Sequence, residues 1–137
     1  MVVRGEHRLR RQPAGLTLLG LHEGVAWFLI LSNAAVGLWA LGAQWRPRLR
    51  SPALWWATGV AEVSVFVQAV IGVVLVRSED VELDDMHALY GFSGIVAVGI
   101  VYSYRQQLAE RKYLLYGLGG LFIMGLGIRN MFLTGRA

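Results

Sequence analysis

Two of the three histidines in this sequence, His22 and His87, stand at the openings of long apolar stretches. Two imidazoles at similar depth on diagonal helices of a bundle can ligate one haem iron from opposite faces. Gly91 lies one helical turn beyond His87, where a missing side chain leaves room for a flat macrocycle against the backbone. The other residues able to do chemistry are also set in apolar sequence: Glu23, Asn33, Glu62, Gln68, Arg129 and Asn130. A charge at the centre of a bilayer costs roughly 2.5–3.5 kcal/mol, so such groups face a bundle interior and pair with one another. A neutral Glu62 carboxyl hydrogen-bonded to the Asn33 amide would satisfy both groups as interhelical glue, and an ionised one would bind a proton or a cation. A Glu23–Arg129 pair would neutralise two charges, with Gln68 or Asn130 completing its hydrogen bonds. Arg129 has five donors, so it could also pair with a haem propionate.

These residues need elements to hold them, and the composition says which. The chain has 137 residues, of which 55% are hydrophobic and 16% charged, against about 25% charged in ordinary soluble domains. That composition excludes a disordered chain and argues against a soluble domain. The absence of cysteine excludes disulfides, thiolate nucleophiles, iron–sulfur clusters and cysteine-ligated zinc. Four apolar runs, over about 22–43, 53–76, 86–104 and 113–134, are each long enough to span, since a membrane helix needs about 20 residues. A basic tail and a short apolar, interfacial segment (1–21) precede the first. The turns between them are short, which makes consecutive helices antiparallel. The expected fold is therefore all-α: one integral membrane domain over 1–137, an up-down-up-down four-helix bundle.

Both ends of this bundle can be described. Side A carries the basic tail, the acidic loop Arg77 to Asp85 and the C-terminus. Side B carries two basic turns, around Arg46-Pro47-Arg48 and Arg105 to Lys112. Trp39, Trp45, Trp55, Trp56, Tyr102, Tyr104, Tyr113 and Tyr116 all fall near side B, as an interfacial aromatic belt does. Basic residues flank both sides equally, so the positive-inside rule assigns no orientation, and both termini are expected on one side of a cell (plasma) membrane. The net charge of +4 sits beside the spans, where anionic headgroups account for it better than nucleic acid does. Gly20 and Gly24 form a GxxxG pair, and glycines recur through the third and fourth spans, the spacing of close helix packing or dimerisation.

No nucleotide-binding, zinc-protease or serine-hydrolase motif occurs in the sequence. The chain is expected not to be an enzyme. The reading that asks least of the residues is an accessory or interaction subunit of a larger membrane complex, or a homodimer, with the lipid bilayer as its other partner. A second reading is a b-type haem electron carrier using His22 and His87. The four spans, the two histidines and the His-x-x-x-Gly from His87 to Gly91 resemble the bis-histidine haem b bundles of the cytochrome b561 type, or one half of a haem A synthase. That resemblance extends over the whole chain and implies haem b as cofactor. A third reading is a small proton-coupled transporter built on Glu62.

Overall fold

A computed structural model of the chain describes residues 17–79 and 82–133. The arginine-rich tail, Asp80 of the acidic loop and Thr134 at the edge of the fourth span lie outside the described residues. Four helices run through the rest: α1 (Leu18–Trp45), α2 (Pro52–Ser78), α3 (Asp85–Tyr104) and α4 (Lys112–Leu133). Single 3-10 turns, Pro47–Leu49 and Ala109–Arg111, join α1 to α2 and lead into α4. Among the described residues there is no strand. The apolar residues ahead of His22 belong to α1 itself, so the expected interfacial segment is, from Leu18 on, the first turn of the first span.

Sequence explains where the helices begin. The Thr17 hydroxyl accepts from Gly20 N at 2.9 Å, and Asp84 Oδ1 accepts from Met86 N at 2.8 Å and from His87 N at 3.0 Å. Each side chain satisfies donors that the first helical turn leaves without partners. Pro47 and Pro52 occupy first helical positions, where the missing N–H costs nothing. Replacing Asp84 with alanine is expected to cost about 1 kcal/mol. In a thermal melt this is a drop on the order of 4 °C. Glu82→Ala, outside the cap, is the control that should not move the midpoint.

The bundle is inside-out by the standards of a soluble protein. Leu38 is 62% exposed, Phe92 63% and Trp56 79%, and large apolar side chains cover the outside of all four helices. A continuous apolar exterior of this kind needs hydrocarbon as its solvent. All four helices are long and apolar enough to cross a membrane. The protein is a small polytopic membrane protein.

Inside, α1 is the hub. It packs against α2 on one flank and α4 on the other, and α3 packs against α4, whereas α2 and α3 meet only sparingly. The closest seam is α1 on α4. There Gly37, Gly117 and Gly120 bring the backbones into contact: a Cβ on Gly120 would lie 3.0 Å from the Asn33 carbonyl oxygen and 3.1 Å from Gly37 Cα. Gly24 has open space around it and takes no part in this packing. The glycine seam thus forms in the middle of α1 rather than at the Gly20–Gly24 pair, because only there does another helix pass close enough to need it.

Side B is fastened by its basic and aromatic residues. Arg50 donates to the carbonyls of Ala43 (2.8 Å) and Gln44 (2.9 Å), capping the C-terminus of α1. Its guanidinium also lies 4.7 Å from the Tyr113 ring centre. The Lys112 ammonium stands 5.3 Å from the ring centres of both Trp55 and Tyr113, cation–π distances. Trp39 Nε1 donates to the Leu49 carbonyl at 2.8 Å. Part of the aromatic belt is therefore turned inward as a clasp between turns. Trp45, Trp56, Tyr102 and Tyr104 stay exposed.

Candidate functional site

The helix starts at side A determine which residues meet. The Asp84 cap makes His87 the third residue of α3, and the Thr17 cap makes His22 the fifth of α1. These two helices are diagonal in the bundle. In the interior the His22 and His87 rings come together, with centres 6.0 Å apart and planes inclined by 56°.

The neighbouring helices complete the cluster. From α2, Gln68 Nε2 donates to His22 Nε2 at 3.3 Å. One turn further along α2, a Cβ on Gly72 would lie 3.4 Å from His22 Cε1, so the ring rests against the α2 backbone. From α4, the Asn130 amide nitrogen lies 3.9 Å from where a Gly91 Cβ would be, one turn beyond His87. Each helix thus supplies one polar side chain at this level: His22, Gln68, His87 and Asn130.

Three atoms of this cluster are buried without a hydrogen-bond partner among the described residues: Gln68 Oε1, His87 Nδ1 and Asn130 Oδ1. An unsatisfied buried polar atom costs about 1–3 kcal/mol. Three of them, from three helices at one level, mark a place suited to a polar or metal-bearing guest.

The donor set narrows the guest. Among the described residues no three His, Asp or Glu side chains come together as a metal-binding group. A bare zinc ion wants four protein or water donors. An iron porphyrin brings four nitrogens of its own and asks the protein for only one or two axial ligands. With metal–nitrogen bonds of about 2 Å and each ring centre about 1.1 Å behind its nitrogen, two axial imidazoles have centres about 6.2 Å apart. The observed 6.0 Å is close to that separation, a distance that ring packing also gives.

The remaining sequence-derived candidates lie elsewhere. Asn33 is buried and bridges α1 to α2, donating to the carbonyls of Leu29 (2.9 Å) and Ala61 (3.2 Å). Both N–H donors of its amide are spent on backbone, not on the Glu62 carboxyl. Glu62 is half-buried on α2, about 9 Å along the helix axis from Gln68 toward side B, and does not join the histidines. Glu23 is half-buried on α1 beside His22. Arg129 is exposed on α4, one residue before Asn130, where a long stem lets the guanidinium reach side A headgroups. Sequence reasoning gave Gln68 to the Arg129 pair and did not give Gly72 a role at the histidines. The available signal was their four-residue spacing, which puts both on one face of α2.

The chain matches no family model, no curated protein and no solved structure.

Proposed function

We propose that this protein is a small b-type haem electron carrier of the membrane, with His22 and His87 as the axial ligands. The observation that carries the reading is the pair of imidazoles from diagonal helices, 6.0 Å between ring centres, beside three buried polar atoms that lack partners. Packing alone also allows rings at this distance, but it gives no account of those polar atoms. The interaction-subunit reading rests on apolar outer faces, which every membrane bundle has, so the more specific constellation takes precedence.

Bound haem b would supply one-electron redox chemistry. The chain's own residues do the rest. The Gln68 side chain lies against His22 Nε2; with its amide oxygen turned there it would accept the Nε2–H, leave Nδ1 for the iron and set the orientation of the ring, the usual duty of a group hydrogen-bonded to a ligating imidazole. Asp84 holds the start of α3 and with it the depth of His87. Gly72 and Gly91 keep the flanks beside the two rings free of side chains.

The test is an absorption spectrum of the full chain purified in mild detergent from haem-replete cells. A Soret band is expected, with split visible bands on dithionite reduction and one haem b per chain by pyridine haemochrome. A colourless, folded preparation that stays colourless after incubation with hemin would sink the proposal. Stoichiometric copper or zinc without porphyrin would replace it with a bare metal centre.

A further inference from the structure

A second feature lies at the opposite end of the bundle and does not depend on the haem reading. Between α3 and α4, toward side B, runs a groove of about 430 Å³, in the range of small-molecule sites. Its walls are apolar, from Ile100 and Val101 on α3 and from Leu115, Leu118 and Phe122 on α4. Gly119 lets the two helices close beneath it, since a Cβ there would run into Val101 Cγ2 at 2.5 Å. One charged residue lines it: Arg111, exposed on the 3-10 turn at its mouth.

The dimensions select the occupant. From Arg111 to Phe122 is eleven residues, about 16 Å at 1.5 Å per residue, and one leaflet of hydrocarbon is about 15 Å deep. The groove is thus one acyl chain long, with its cation at headgroup level. The other basic residues of this turn are engaged. The Arg105 guanidinium stacks 3.6 Å from the Tyr102 ring centre and donates to the Tyr102 carbonyl, and Lys112 faces Trp55 and Tyr113. Arg111 is the one placed over the groove.

We propose that the α3–α4 groove is a binding site for one anionic phospholipid, with an acyl chain along Leu115, Leu118 and Phe122 and its phosphate on Arg111. The lipid would seal α3 to α4 at the end where the 3-10 turn joins them. The charge of Arg111 would favour an anionic headgroup over a zwitterionic one.

Native mass spectrometry of the full chain, released from detergent containing equal phosphatidylglycerol and phosphatidylcholine of matched chains, tests this. Single-lipid adducts are expected, with phosphatidylglycerol favoured about fivefold. Arg111→Ala should bring the ratio close to one, and Arg48→Ala, on the other basic turn, should leave it unchanged. Leu115→Trp, which fills the groove, should reduce adducts of both lipids. Equal binding of the two lipids by the parent chain would overturn the proposal, as would equal loss of preference in both arginine variants. A lipid-free dimer that Leu115→Trp dissociates would assign the groove to a second copy instead. Arg111 is a surface residue, so its variant keeps the test decisive even if Leu115→Trp does not fold.

Discussion

His87→Ala, purified beside the parent chain, is expected to lose at least about tenfold in Soret absorbance per chain while remaining helical and monodisperse. A porphyrin supplies four donors, so in the proposed site the protein would hold the iron through two imidazoles, and removing one would remove half of its direct hold. His22→Ala should behave alike, since the two rings lie 6.0 Å apart, centre to centre, and the proposal gives both the same role. Gln68→Leu should differ in kind. It removes the hydrogen bond to His22 but no ligand. Loss of such an outer partner typically costs 10–100-fold in metal affinity. Excess hemin should therefore refill Gln68→Leu, with a shifted midpoint potential, whereas it should not restore a six-coordinate spectrum to His87→Ala. If His87→Ala kept the parent's spectrum, His87 would not be a ligand. If Gln68→Leu kept the parent's affinity and potential, Gln68 would serve packing only.

The second large effect concerns the scaffold. Gly120→Leu is expected to take α1 off α4. Even a Cβ at this position would lie 3.0–3.1 Å from backbone atoms of Asn33 and Gly37, which cannot swing aside as a flexible side chain can. A leucine needs far more room, so the cost should exceed the ~1–3 kcal/mol of ordinary overpacking. Gly125 is the control, because nothing lies within 4 Å of its added Cβ. Gly125→Ala should be neutral or slightly stabilising through helix propensity. The readout is the thermal midpoint in detergent, together with monodispersity on gel filtration. Equal midpoints for Gly120→Leu and Gly125→Leu would show that the α1–α4 seam is not close-packed. Because α1 carries His22 and α4 carries Asn130, the same variant should also lower haem content.

The legibility of this protein divides along one line. The four helices and their order follow from apolar runs, prolines and capping residues, all of which act within a few neighbouring residues, although α1 begins at Leu18, ahead of the expected 22. The relative level of polar residues along the helices is legible too, because rise per residue is a constant of the helix. This is why His22 and His87 could be placed at one level, and why Gln68 and Asn130 could be recognised as interior candidates. Rotation about each helix axis was harder to see. Asn33 was matched to Glu62 by depth, yet its amide turns to the carbonyl of Ala61, the preceding residue. Gly24 belonged to a packing motif by spacing but faces open space, and the true seam at Gly37, Gly117 and Gly120 depends on where α4 crosses α1.

What the amino-acid sequence determined alone was the solvent, the number of spans and the level at which each polar group sits. Burial of apolar surface and closure of backbone hydrogen bonds within each helix decide these, and both are local to the helix. Which groups touch was decided only by tertiary structure: Gln68 with His22, Asn130 beside Gly91, Arg111 over a groove. In lipid the outside of a helix is as apolar as its inside, so hydrophobicity does not say which face turns inward, and small residues at a close crossing settle it instead.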